Sequence, residues 1–463
     1  MSLIAPQDSA FLLGESVVQP THVAGLAIYD LPPGAGRGYV SRLYRELLTH
    51  TEIHPRLRRR PADPVGSLGN LWWTEEHELD LEYHVRLAAL PRPGRVRELL
   101  ELVSRLHGQM LDRHHPLWEF YLIEGLEGGR FATYTKLHHA LYDGVASTRL
   151  LTNWLSADSD ARGTIPWWSA AHQQPSQAKN EQADGESRGI AAHVTGAAGR
   201  PVRLAGDLAG LASSVGKMAA QALRGHSGGV PYRVPRTMLN TSITSSRRFA
   251  AEQWPLERIK SAGAPHNATV NDVVLAMCAG ALRRYLIERD ALPGNALTAG
   301  VPVSLRSLGV SEDAGNAVGI VPCSLATHIG DPRERLREII ASMNAAKAEL
   351  ATQSPLQIQL RTGLIATGSL LATQVPGVAD LAPTPVNLII SNVPGPREPL
   401  YWDGARMQGV YPLSVPQQGQ ALNITVFSYA GQLNFGLTGC RRRVPHLQHM
   451  LSYLEDSLAE LET

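Results

Sequence analysis

The stretch 131–137 alternates as a half-buried strand should, and with 118–125 it flanks the turn-forming Glu127-Gly128-Gly129, a pattern that predicts a β-hairpin. Its second strand runs straight into His138-His139-Ala140-Leu141-Tyr142-Asp143-Gly144. A hairpin fixes where these histidines emerge, so this junction constrains the fold more than any other part of the chain. If extension continues to residue 139, the two rings face opposite ways, one into a site and one into structure. A hydroxyl is a poor nucleophile at neutral pH, and a neutral imidazole within hydrogen-bond reach can take its proton as attack begins, a contribution of ~10²- to 10⁴-fold. Asp143 reads as one half of a buried ion pair that fixes the loop, and Gly144 as the position that accepts a backbone conformation other residues resist. The ordinary alternative is a loop whose histidines are merely polar, and His114-His115 before Pro116 is a second such pair. His139 and Asp143 stand four apart, but no third ligand follows at a recognisable spacing, so no metal is expected.

With 463 residues, 43% of them hydrophobic and 18% charged, the chain can bury a sizeable core, and its length argues for two domains. A net charge of +1 removes any general case for nucleic-acid binding. Cys278, Cys323 and Cys440 are far apart, in apolar contexts and without ligand spacing, and read as buried thiols of a reducing cytoplasm. No basic segment followed by an apolar run opens the chain, so secretion is not expected. The uncharged stretch 362–379 raises the membrane question, but Gly363, Thr367, Gly368, Ser369, Gln374 and Pro376 make a buried helix the better reading than a span.

The coarse organisation is two α/β halves and a connector. In the first half, 21–31 reads as a strand and 39–48 and 96–111 as amphipathic helices. From 157 to 235 the composition shifts to Ser, Gln, Ala and Gly, which fits a linker. Within it, Val202, Leu204, Leu208, Leu211 and Val215 could form a weak amphipathic helix that docks on lipid beside Arg200, Arg203, Lys217 and Arg224, although a solvated connector is the simpler reading. In the second half an apolar helical stripe begins at Asn271-Asp272, where capping is the ordinary role of both residues. Strands are expected at 298–304, 318–325, 386–391 and 421–429, the last turning at Ala430-Gly431 into 432–437, and a helix over 444–461 closes the chain.

Two motifs are dismissed on context. Gly225-His226-Ser227-Gly228-Gly229 matches a lipase nucleophile elbow, but an Ala-rich segment precedes it and Pro231 follows, where a strand and a helix are required. Gly216-Lys217 suggests a phosphate loop, yet Met218 stands where Ser or Thr is needed.

The run H-H-A-L-Y-D-G resembles the H-H-x-x-x-D-G motif of an acyltransferase superfamily that includes peptide condensation domains, carnitine acyltransferases and the bacterial wax ester synthase/diacylglycerol acyltransferases. The surrounding runs narrow the resemblance to the last of these: Pro116-Leu117-Trp118-Glu119, Thr269-Val270-Asn271-Asp272-Val273, Pro302-Val303-Ser304-Leu305-Arg306, Gly315-Asn316-Ala317-Val318-Gly319 and Ser391-Asn392-Val393-Pro394-Gly395-Pro396. It extends nearly end to end, from Asp8-Ser9-Ala10-Phe11-Leu12 to the closing helix.

The resemblance implies an α/β fold of two CoA-dependent-acyltransferase-like, condensation-domain-like domains with mixed sheets, residues 1–156 and 236–463, joined by a linker at 157–235 and enclosing a central tunnel. It implies transfer of a long-chain acyl group from acyl-CoA to a long-chain alcohol or diacylglycerol, with acyl-CoA as substrate and no cofactor. His139 is then the general base, His138 and Asp143 hold the loop with Gly144, and Arg306 is the expected ion-pair partner of Asp143. Asn271 would lie in the chamber and polarise the thioester carbonyl, while Pro116, Leu117, Trp118, Asn392 and Gly395 would shape the substrate site. The expected location is cytoplasmic, with the surface of the inner membrane or of lipid bodies as a peripheral partner. A thioester hydrolase using the same base with water, a silent lipid-binding protein and a condensation-type domain taking carrier-bound thioesters are the competing readings.

Overall fold

The computed structural model describes residues 2–4, 6–36, 38–62, 72–142, 147, 150, 152–172, 234–304, 318–352 and 384–463. The N-terminal half contributes β1 (Ser2–Leu3), α1 (Pro6–Leu13), β2 (His22–Asp30), α2 (Tyr39–Leu47), β3 (Arg59–Pro61), β4 (Trp72–Glu75), α3 (Leu81–His84), β5 (Val85–Ala89), α4 (Val96–His107), β6 (Trp118–Leu126) and β7 (Arg130–His138). The C-terminal half contributes β8 (Arg247–Pro255), α5 (Leu256–Gly263), α6 (Val270–Ile287), β9 (Thr298–Ser304), β10 (Val318–Ser324), α7 (Pro332–Ala351), β11 (Leu388–Val393), β12 (Tyr401–Trp402), β13 (Ala405–Leu413), β14 (Leu422–Tyr429), β15 (Gln432–Cys440) and α8 (His449–Glu462).

Two six-stranded mixed sheets carry the fold, in the orders β12-β13-β2-β7-β6-β5 and β10-β9-β11-β14-β15-β8, beside a small sheet β1-β4-β3. The predicted hairpin is present as β6–β7, with Trp118 opposite Leu137 and Leu126 opposite Arg130. Strand β2 pairs along the whole of β7, from His22 opposite His138 to Asp30 opposite Arg130. The other edge of β2 is covered by β13, which arrives from the C-terminal half and completes the first sheet. The two sheets therefore interlock across the chain division at residue 236. Where β13 crosses β15, the α-carbon of Gly436 lies so close to the Pro412 carbonyl that a β-carbon has no room.

Helix α6 is buried on nearly all sides rather than along one stripe, since Val273, Leu275, Met277, Ala279 and Leu282 are each fully or almost fully enclosed between the second sheet and helices α7 and α8. A helix that is apolar all round belongs inside a core. Cys278, Cys323 and Cys440 are buried free thiols.

Part of the stretch read as linker is packed. Trp167 and Trp168 sit in the first core against Trp118, with ring centroids 5.3 and 5.7 Å away. Their burial outweighs the polar composition around them, so residues 157–172 belong to the N-terminal unit. The candidate lipid-docking helix, the stretch 362–379, the elbow-like run and Gly216-Lys217 all lie outside the described residues. Among the described residues no helix is long and apolar enough to cross a membrane.

Candidate active site

Strand β7 stops at His138, and residue 139 already belongs to the turn, so the strict up-and-down alternation of the two rings ends there. The His138 N–H donates to the Leu117 carbonyl and the His139 N–H to the Thr21 carbonyl, each at 3.0 Å, while the His138 carbonyl accepts from Leu141 at 2.9 Å. The turn is thus clamped from β6 on one side and from the start of β2 on the other.

Every ring contact of His138 is satisfied by protein. The Ala140 N–H donates to Nδ1 at 3.1 Å. The Thr21 hydroxyl donates to the Phe11 carbonyl at 3.1 Å, so it accepts from His138 Nε2–H at 3.0 Å. These bonds assign a neutral ring with its proton on Nε2. The Glu15 carboxylate stands 3.5 Å from the same nitrogen, and both side chains are fully enclosed. Burial alone would raise the Glu15 pKa, but the hydrogen-bonding edge of His138, the Arg113 guanidinium and the Thr21 N–H oppose it and hold the carboxyl below its ordinary value. No ring nitrogen of His138 remains to take a proton from a substrate.

His139 differs from its neighbour. It is partly exposed, and its ring stacks on Phe11 with centroids 4.1 Å apart and planes 15° from parallel. The segment from Phe11 to Thr21 therefore supports both imidazoles. Its far side reaches the C-terminal half, where Gln19 Oε1 accepts the Gln418 N–H at 2.6 Å and the Val18 carbonyl accepts from Arg247 at 2.8 Å. This puts the histidine turn near the junction of the halves.

Below the turn, Lys136 and Glu119 are cross-strand neighbours joined at 2.9 Å. Lys136 is 1% exposed and also donates to the carbonyls of Leu106 and Gln109 at the end of α4, where the helix dipole favours a cation. Burial pulls its pKa down, and Glu119 opposes that pull.

The remaining candidates divide. Pro116 and Leu117 are buried, and Leu117 packs with Ala140 and Leu141 under the histidine turn. Trp118 points into the aromatic core, donating from Nε1 to the Leu57 carbonyl at 2.9 Å and stacking on His84 at 4.4 Å. At the start of α6 the cap is made by Thr269 and Asp272, a reciprocal capping box. Asn271 is therefore not the cap: it occupies the second helical position, partly exposed, with no side-chain hydrogen bond among the described residues. Asn392 pairs through its backbone with β14. Gly395 donates its N–H to Ser428 Oγ at 3.0 Å and is pressed against Phe427 with no space for a β-carbon. No hydrogen bond joins Asn271 or Asn392 to the histidine turn among the described residues. Asp143, Gly144, Arg306 and most of the run 315–319 lie outside those residues.

Glu15, Thr21, Phe11 and Arg113 are the site residues that sequence reasoning missed. Phe11 stands in a motif that carried the resemblance, but nothing local marks Glu15, whose partner His138 is far along the chain.

The comparisons with known proteins agree across the whole length. The family model for the wax ester synthase/diacylglycerol acyltransferase catalytic domain matches residues 4–274, and that for the WS/DGAT C-terminal domain matches residues 314–462. A Mycobacterium tuberculosis protein named "probable diacylglycerol O-acyltransferase tgs2" is 46% identical over 462 residues, covering 100% of this chain and 99% of its own. Among solved structures, the wax ester synthase/diacylglycerol acyltransferase from Marinobacter aquaeolei VT8 superposes with a TM-score of 0.80 at 39% identity, covering 100% of this chain and 99% of its own. The starter condensation domain of rhizomide synthetase, at 13% identity and a TM-score of 0.57, shares the fold. With two family models and full-length relatives matching it, the chain belongs to the wax ester synthase/diacylglycerol acyltransferase family of acyltransferases.

Proposed function

We propose that this acyltransferase moves a long-chain acyl group from acyl-CoA to a long-chain alcohol or diacylglycerol, with His139 as general base in a tunnel between the two halves. The observation that carries the reading is the contrast in burial between the paired rings: His138 is fully enclosed with its nitrogens bonded to Thr21 and Ala140, whereas His139 is partly exposed and stacks on Phe11. His139 takes the proton of the acceptor hydroxyl, and the oxygen attacks the thioester carbonyl carbon. The tetrahedral oxyanion collapses with cleavage of the C–S bond, and the proton on His139 passes to the departing thiolate, giving ester and free CoA. Acyl-CoA is a substrate here, and no resident cofactor enters the chemistry. Asp143 and Gly144 complete the turn in this reading.

Asn271, left out of the helix cap, supplies a carboxamide donor for the developing oxyanion, an interaction worth about 3 kcal/mol in comparable sites. Pro116, Leu117, Asn392 and Gly395 shape the walls, and Trp118 supports them from the aromatic core. Apolar walls select long chains because each methylene taken from water contributes about 0.8 kcal/mol. Apolar substrates also bring the enzyme to a membrane or lipid-body surface from the cytoplasm, as a peripheral partner.

The test is release of thiol from palmitoyl-CoA with and without hexadecanol or dioleoylglycerol, with the lipid product identified. Release that requires an acceptor, with formation of wax ester or triacylglycerol, is expected. Release that proceeds equally without an acceptor would make the protein a thioesterase.

A further inference from the structure

Glu15 reaches both histidines through one residue. Its Oε1 accepts the Thr21 N–H at 3.0 Å. The same Thr21 accepts His138 Nε2–H on its hydroxyl and the His139 N–H on its carbonyl. Glu15 Oε2 accepts from Arg113 Nε at 3.2 Å and Nη2 at 2.9 Å, and it lies 3.5 Å from His138 Nε2. Arg113 Nη2 also donates to the Leu12 carbonyl at 2.6 Å, next to the Phe11 that carries the His139 ring.

We propose that Glu15, clamped by Arg113, is a positioning residue for acyl transfer: it fixes His138 as the Nε2–H tautomer and so sets the turn and ring plane from which His139 works. The proposal rests on the reading of His139 as the base. The physical reason is a count of donors. Oε2 accepts two N–H groups of Arg113 beside the Nε2–H edge of His138, and Oε1 accepts the Thr21 N–H, a set of donors that an ionised carboxylate, which offers only acceptors, is suited to face. In the opposite tautomer the His138 Nδ1–H would face the Ala140 N–H, donor against donor, and the turn that places His139 would open.

A carboxamide of the same shape makes this testable. In Glu15→Gln one terminal atom can still accept the Thr21 N–H, but the other then points its own N–H groups at Arg113 and His138. Its kcat for acyl transfer is expected to fall on the order of 10²-fold, with KM for palmitoyl-CoA within about twofold, because orientation is lost and substrate binding is not. In nitrogen-15 histidine spectra of the folded variant, the His138 signals should leave the pure Nε2–H pattern. Thr21→Val keeps the ion pair and volume but removes the hydroxyl acceptor, and a fall in kcat on the order of tenfold is expected.

An unchanged kcat in Glu15→Gln, even with a lower melting temperature, would make the carboxylate a stability element only and overturn the proposal. So would a His138 ring that stays a single Nε2–H tautomer. If Glu15→Gln does not fold, an unchanged kcat in Thr21→Val is decisive against the proposal. His139→Ala in the same assay separates the two layers. An inactive His139→Ala beside a fully active Glu15→Gln removes only the role of Glu15, whereas an active His139→Ala removes the base assignment and this inference with it.

Discussion

Two neighbouring histidines, His138 and His139, meet different surroundings. His138 ends a strand that is paired on both edges, so its ring is enclosed and both nitrogens are bonded. One step later the chain has turned, and His139 rests on Phe11 with part of its surface open. The sequence shows the pair but not the asymmetry, since that depends on Glu15 and Thr21, which meet His138 only after folding. Asn271 and Asp272 form a second contrast. Either could cap a helix on sequence grounds, and the register of the capping box selects Asp272. At Gly395 the reason for glycine is space: the chain passes against the Phe427 ring and the Ser428 carbonyl with no room for a methyl group. Gly395→Ala is expected to destabilise the protein by about 1–3 kcal/mol through overpacking, read as a shift of the denaturant midpoint with an unchanged slope. A variant as stable as the parent would show that the loop relaxes freely.

Elements whose pattern is local are legible in the sequence. The β6–β7 hairpin follows from the alternation of 131–137 after the Gly128-Gly129 turn, and β14–β15 follows from the turn at Ala430-Gly431. Strand β9 covers the expected 298–304. Other elements needed partners that no window contains. Strand β13 lies in the C-terminal half of the chain but pairs with β2, and β8 pairs with β15. Helix α7 does carry a start signal, the Asp331 cap followed by Pro332, and its side chain accepts the Glu334 N–H at 2.7 Å. The closing helix begins at His449 rather than 444, because residues 441–448 are used in turns. The hairpin that carries the histidines depends on a buried ion pair. Lys136→Met leaves Glu119, 8% exposed, with the more distant Arg86 at 3.5 Å and the Tyr121 hydroxyl at 3.3 Å, and a loss of about 3 kcal/mol is expected in chemical unfolding. Adding Glu119→Leu should recover much of that loss. A single variant as stable as the parent would show that the pair contributes nothing.

At the scale of the whole molecule, the two halves share a sheet and enclose polar groups at their junction. His107 lies there, with Nε2 3.0 Å from the Ser414 carbonyl of the C-terminal half and Nδ1 3.0 Å from the Tyr134 hydroxyl. Burial pushes its pKa from 6.5 down to about 3, and burial likewise brings His84 down to about 4. Between these values and 6.5 the unfolded chain binds protons that the folded chain refuses, so stability falls as pH drops through that window. Glu15, held below an ordinary 4.5, adds a second loss below pH 4.5. Chemical unfolding from pH 7 to pH 4 should therefore show a progressive fall on the order of a few kcal/mol, and a flat profile would contradict the buried neutral state of these histidines. In the proposed mechanism one ring of the pair does the chemistry on a scaffold held by the other. That mechanism is tested most directly by kcat for acceptor-dependent ester formation in His139→Ala, measured beside its unfolding curve. Loss of kcat on the order of 10²-fold or more with an unchanged unfolding midpoint is expected; near-parental turnover in the folded variant would contradict it.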